Sequence, residues 1–242
     1  MLTMEGMVIK MSLEIKNNLK KVYQSIEENA HKANRKPKDI KLVAVAKNHP
    51  PKKIIKTMQA GHHLFGENRV QELLDKHELF YDQDIKWHFI GHLQKNKVKY
   101  LMKIKQLEMI ESIDSLAIAR EVNDQAKEAE RKIKVLLQVN IADDPNKFGF
   151  SADNIEKAVK EVSQLSNLNL VGLMTITPYY DKPESAREDY QAMKKLLDKL
   201  NQKGYNLKEL SMGMSNDYHI AVQEGATIVR VGTAIFGKRK YY

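Results

Sequence analysis

Among the 242 residues, Lys47 is the side chain whose setting first suggests a specific chemistry. It follows five apolar residues, Leu42 to Ala46, and precedes Asn48-His-Pro-Pro51, so a packed strand would carry its stem to the strand's end. Partial desolvation there would lower an ammonium pKa and supply the neutral amine that attacks an aldehyde to form a Schiff base. Position alone favours an ordinary solvated lysine in a lysine-rich chain. The other end of the sequence shifts that balance. Ser211-Met-Gly-Met-Ser215 and Val231-Gly-Thr-Ala-Ile-Phe-Gly237 both place glycine beside hydroxyl residues at the ends of apolar runs. Such loops present backbone N–H groups to phosphate, and Asn216 and Asp217 could open a short helix beside them. Taken singly, Gly-Ser clusters are more often plain turns.

Other patterns lead nowhere. Gly232 to Lys238 matches most of a P-loop, but Arg239 stands where Ser or Thr must bind magnesium, and the chain reaches Tyr242 with no helix to follow. His62, His63, His88 and His92 invite a metal, yet no HExxH-like spacing occurs and His62 and His63 would point to opposite faces of a strand. His88 reads as a site-lining or a satisfied core residue. With no cysteine there is no disulfide, thiolate metal site or Cys nucleophile.

Eight apolar or β-branched runs would position these residues: 41–47, 62–68, 86–93, 107–114, 132–141, 168–177, 207–215 and 227–236. Helical periodicity separates them over Ser115 to Arg131, Ser151 to Leu165 and Glu184 to Lys203. Strict alternation implies a parallel sheet, and eight units in this length suit a closed (β/α)8 TIM barrel, an α/β fold, which leaves no unpaired edge. An extra N-terminal helix, Leu13 to Lys32, precedes the first strand. Residues 1–11 are expected to be a loose extension and 12–242 one barrel domain.

The net charge of +9 raises the question of nucleic acid. The densest run, Lys95 to Lys105, interleaves Val98, Leu101 and Met102 at helical spacing and puts Lys95, Lys99 and Lys103 on one face, which reads as a solvated helix face. No run of about 18 apolar residues or secretory leader is evident. The expectation is a cytoplasmic protein with neither membrane nor nucleic-acid partner.

The chain resembles the YggS/PROSC family, also called pyridoxal phosphate homeostasis proteins, over most of residues 12–240. The resemblance is carried by Leu42-Val-Ala-Val-Ala-Lys47, Phe65-Gly-Glu-Asn68 with Val70-Gln-Glu72, Trp87-His-Phe-Ile-Gly91 with Leu93-Gln94, Gly172-Leu-Met174, Leu210 to Ser215, and Val229 to Gly237. It implies a barrel like that of alanine racemase, with pyridoxal 5′-phosphate as an internal aldimine on Lys47. It also implies that Ser211, Gly213, Met214 and Ser215, with Gly232 and Thr233, surround the phosphate while Asn68 and His88 line the pocket. Arg230 would lie near the cofactor. If it faces the pyridine nitrogen, its fixed charge disfavours ring protonation and weakens the electron sink.

The resemblance further implies cofactor carriage in vitamin B6 homeostasis, with other B6 vitamers and pyridoxal-phosphate-dependent apoenzymes as partners and a monomeric state. The alternative is an amino acid racemase, which needs two bases and a closed site. Racemases of this fold add a covering domain, and its expected absence favours the carrier.

Overall fold

The computed structural model describes residues 4–237, with side chains from residue 12. Eight parallel strands close in chain order into a barrel: β1 (Lys41–Val45), β2 (Leu64–Glu67), β3 (Lys86–Phe89), β4 (Leu107–Ile113), β5 (Ile133–Val139), β6 (Leu168–Thr175), β7 (Glu209–Ser211) and β8 (Ile228–Val231). Each of the eight expected runs holds one strand, and β1 pairs with both β2 and β8 to close the ring. The strands stop two to five residues short of most expected carboxyl ends, because the chain leaves the ladder there to form the barrel's upper loops. The run to Phe236 ends instead in a short helix, α9 (Thr233–Phe236).

The outer helices are α1 (Met4–Lys32), α2 (Pro51–Gln59), α3 (Val70–Leu79), α4 (Val98–Leu101), α5 (Leu116–Glu128), α6 (Ile155–Val162), α7 (Arg187–Gln202) and α8 (Tyr218–Gln223). Each of the longer ones buries one stripe. On α5 this is Ile118, Ala119, Val122 and Ala126; on α7 it is Tyr190, Met193, Leu197 and Leu200. The extra helix α1 starts at Met4 rather than Leu13, and residues 1–3 of the expected loose extension lie outside the described residues. Arg35, just beyond α1, donates to the carbonyls of Val222 (2.6 Å) and Ala226 (2.7 Å), and Asn18 donates to Ile235. These bonds tie the extra helix and the residues just after it to the last two βα units. The lysine-rich run 95–105 is a 3-10 turn followed by the single turn of α4, shorter than its periodicity suggests. Val98, Leu101 and Met102 are buried as expected, and Lys97, Lys99 and Lys103 gather around the Tyr100 ring.

Inside the barrel, alternation sorts the inward side chains into layers. Val43, Met109, Leu136, Met174 and Ile228 form a buried apolar plug. Two residues further along their strands come Val45, Glu111, Gln138, Ile176 and Arg230, so the layer above the plug is largely polar. Gly66 makes room for this packing, since a Cβ there would come within 2.8 Å of Val43 Cγ1.

Gly172 bears on barrel closure, because an added Cβ would lie 1.8 Å from the Glu209 carbonyl oxygen on the neighbouring strand. Gly172→Ala must push β6 from β7. It is expected to lower stability by about 1–3 kcal/mol or more in urea denaturation; an unchanged midpoint would contradict this packing.

Candidate functional site at the barrel mouth

A cavity of about 410 Å³ opens at the carboxyl ends of the strands, within the range of small-ligand sites. Lys47, Asn68, Met214, Ser215, Arg230, Gly232 and Thr233 line it, together with His92, Gln138, Phe148 and Asn216. The first seven are residues singled out from the sequence. His88, Ser211 and Gly213 do not line it; they lie buried behind its wall.

Lys47 is delivered by β1. Leu42 to Ala46 are buried, and Ala46 N–H donates to Gly66 O (2.9 Å), which extends the pairing one residue past the strand. The chain then turns at Asn48 in the left-handed region (φ 59°), a conformation that asparagine tolerates better than most residues. Pro50 keeps His49 from continuing as helix, and Pro51 starts α2 at a position that needs no N–H donor. Lys47 is therefore the residue at which the strand gives way to a loop.

The loops after β7 and β8, which line the same cavity, are bonded together. Ser215 Oγ accepts from Gly232 N (3.0 Å) and Ala234 N (3.4 Å). Asp217 Oδ1 accepts from Met214 N (2.6 Å), so this side chain fastens the loop ahead of α8. Gly213 has φ 89° and could not carry a Cβ, which would meet Ala221 Cβ at 2.5 Å. Its carbonyl accepts from Arg230 N–H (3.0 Å). The result is a stretch of backbone and hydroxyl groups that lines the same cavity as Lys47.

Beneath lies a polar cluster that the sequence reading only half anticipates. Glu111, fully buried on β4, accepts from His88 Nδ1–H (2.5 Å) and from the Ser211 hydroxyl (2.5 Å). Arg230 Nη1 donates to Ser211 Oγ and lies 3.8 Å from Glu111 Oε2, while Nη2 donates to Thr175 O (2.7 Å). Burial alone would push the Glu111 carboxyl up. The hydrogen bond and charge of His88, the Arg230 charge and the Ser211 hydroxyl outweigh it and hold the group below the usual carboxylate range. Glu111 was legible only as a charged residue interrupting the apolar strand Leu-Glu-Met-Ile-Glu-Ser-Ile, and its partners lie 23 and 100 residues away.

Two further groups escape sequence reasoning. At the mouth the His92 ring stacks on Phe148 (3.7 Å, 11°) and pairs with Asp114 (2.7 Å). Beside β1, Lys76 on α3 donates to Glu67 Oε1 (2.5 Å), Glu72 Oε1 (2.7 Å) and Ala46 O (2.8 Å). Burial pushes Glu67 up to about 7 despite Lys76, and Glu67 Oε2 has no hydrogen-bond partner. No cluster of His, Cys, Asp and Glu suited to a metal occurs among the described residues, and none of their helices is long and apolar enough to cross a membrane.

Two outcomes follow for stability. Glu111→Leu leaves the Arg230 charge buried without its counter-charge and is expected to destabilise the fold by about 3–5 kcal/mol in urea; a loss under 1 kcal/mol would show that the cluster is not a coupled charge pair. Glu67 carries a raised pKa, so the folded state holds a proton that the unfolded chain releases. Stability therefore falls as pH rises from the ordinary carboxylate range towards about 7. Glu67→Gln removes this dependence, which a pH series of denaturation midpoints would detect.

Residues 22–240 match the family model for the alanine racemase N-terminal domain. The pyridoxal phosphate homeostasis protein of Aquifex aeolicus is 41% identical over 92% of this chain and 97% of its own length, and the human one is 39% identical over 86% and 81%. Among solved structures, PipY of Synechococcus elongatus with PLP bound superposes with a TM-score of 0.77 at 35% identity, covering 88% of this chain and all (100%) of that one. The chain thus belongs to the alanine racemase N-terminal domain family and, within it, to the pyridoxal phosphate homeostasis proteins.

Proposed function

We propose that this chain holds pyridoxal 5′-phosphate on Lys47 and serves vitamin B6 homeostasis, storing and passing on the cofactor without marked turnover of its own. One observation carries the reading: one cavity is lined both by Lys47 and by Ser215, Gly232 and Thr233 from the loops after β7 and β8. An aldehyde bearing a phosphate ester needs an amine and an anion cradle within one small site. A relative 35% identical to this chain binds that compound.

When bound, the cofactor supplies an aldehyde carbon. Lys47 would hold it there as a C=N bond in place of C=O, with the carbonyl oxygen lost as water and no oxidant or reductant needed. Ser215, Gly232 and Thr233 are assigned to the phosphate, with Gly213 and Met214 shaping the loop and Asn68 beside the ring. Arg230 is assigned to the ring nitrogen, where a fixed positive charge disfavours protonation and weakens the electron sink that carbanion chemistry requires. His88 and Ser211 act from behind, as the partners of Glu111 that hold Arg230 in place.

A non-catalytic role fits the groups at hand. Racemisation needs a base on each face of the substrate α-carbon. Among the described residues the ionisable side chains lining the cavity are Lys47, His92 and Arg230. Arg230 is bonded to Ser211 and Thr175, and His92 is paired with Asp114. The rim residues Met214, Asn216, Thr233 and Phe148 are exposed, which suits a cofactor that must come and go. Cytoplasmic, pyridoxal-phosphate-dependent apoenzymes are the recipients this reading implies, with residues 12–242 acting as one monomeric barrel domain.

Incubation with pyridoxal phosphate followed by desalting is expected to leave a borohydride-fixable chromophore on the wild type and none on Lys47→Ala, while alanine racemisation stays at the uncatalysed level. A chromophore of equal strength on both proteins would remove Lys47 from its role, and rapid racemisation would overturn the carrier reading.

A further inference from the structure

Lys76, Glu67 and the partly exposed Glu72 form an ionic group, and none of the three is among the residues lining the cavity. Retaining a buried ammonium is unfavourable unless its protons find acceptors, and well-packed apolar side chains could fasten α3 to the barrel at least as well. Lys76 does match its three protons, to Glu67, Glu72 and the carbonyl of Ala46. The third of these acceptors is the residue before Lys47. The residue after it is held by the same group, because Asn48 N–H donates to Glu72 Oε1 at 2.6 Å. Both peptide units flanking Lys47 therefore end on one ionic network, and the left-handed turn at Asn48 is bonded directly to it.

We propose that Lys76, with Glu67 and Glu72, positions Lys47: it holds the Ala46–Asn48 backbone so that the Lys47 amine meets an aldehyde in the cavity from a set direction and distance. The proposal rests on the assignment of Lys47 as the attachment point. None of the three lines the cavity, so their effect passes through the Ala46 and Asn48 backbone and falls on the covalent step. Binding of the ring and phosphate is left to Asn68, Arg230 and the loops after β7 and β8. A loosened lysine loses the near-attack geometry on which amine addition depends.

The test compares pyridoxal 5′-phosphate with pyridoxine 5′-phosphate, which keeps the ring and phosphate but has an alcohol in place of the aldehyde. In Glu72→Gln and Lys76→Met the borohydride-fixable chromophore is expected to form about ten-fold more slowly than in the wild type, while calorimetric affinity for pyridoxine phosphate stays within about two-fold. Glu72 is partly exposed, so Glu72→Gln carries the test should Lys76→Met fail to fold. An unchanged rate of chromophore formation would overturn the proposal. So would equal losses for both ligands, which would mark the network as general scaffolding. A wild type that binds pyridoxine phosphate yet forms no chromophore with pyridoxal phosphate would overturn the Lys47 assignment itself, and this proposal with it.

Discussion

A carboxylate with no exposed surface sits inside a closed barrel, and its charge must be matched by groups the barrel itself supplies. Glu111 is that carboxylate. Removing an ion from water is so unfavourable that it persists only where donors and counter-charge converge on it. His88 from β3, Ser211 from β7 and Arg230 from β8 provide them. The consequence for the site is direct: Arg230 is held by Ser211 and the Thr175 carbonyl and lines the cavity floor in one orientation. Barrel closure makes this possible, because it brings residues more than a hundred positions apart onto one inner layer.

The rim of the cavity follows a different logic. Lys47 owes its place to an apolar strand that runs out at Ala46 and to a left-handed turn at Asn48, both secured by the ionic group on β2 and α3. The loops after β7 and β8 owe theirs to Gly213, whose backbone no other residue could adopt without meeting Ala221, and to the Ser215 hydroxyl that bonds one loop to the other. An amine, a cation and a stretch of hydroxyl and backbone groups thus meet at one end of the barrel, each placed by local turns together with bonds to neighbouring strands and helices.

Much of this could be read from the sequence, for reasons that particular residues make plain. Apolar runs such as Leu42 to Ala46 mark strands buried on both faces, and their regular alternation with helical patterns leads to the barrel. Lys47 was visible because it ends such a run. Strand ends were overextended where apolar residues continue past the ladder, as Ile90 to Leu93 and Thr233 to Phe236 do. The lysine-rich run looked like a longer helix because Val98, Leu101 and Met102 have helical spacing, although only one turn forms. Glu111, the Lys76 network and the His92–Phe148 stack were not legible. Each is defined by partners that only tertiary closure brings together, and a single glutamate or lysine in a sequence carries no sign of what will neutralise it. His88 is the intermediate case: its burial was one of the two readings, but its partner was not foreseeable.

The central claim is that this barrel holds its cofactor on one lysine among many. Peptide mass spectrometry of protein loaded with pyridoxal phosphate and reduced with borohydride tests it most directly, because the phosphopyridoxyl mass stays on the side chain that formed the bond. The account requires that mass on the peptide containing Lys47, at near-stoichiometric level. Labelling spread over surface lysines, or concentrated on a lysine outside the cavity, would contradict it.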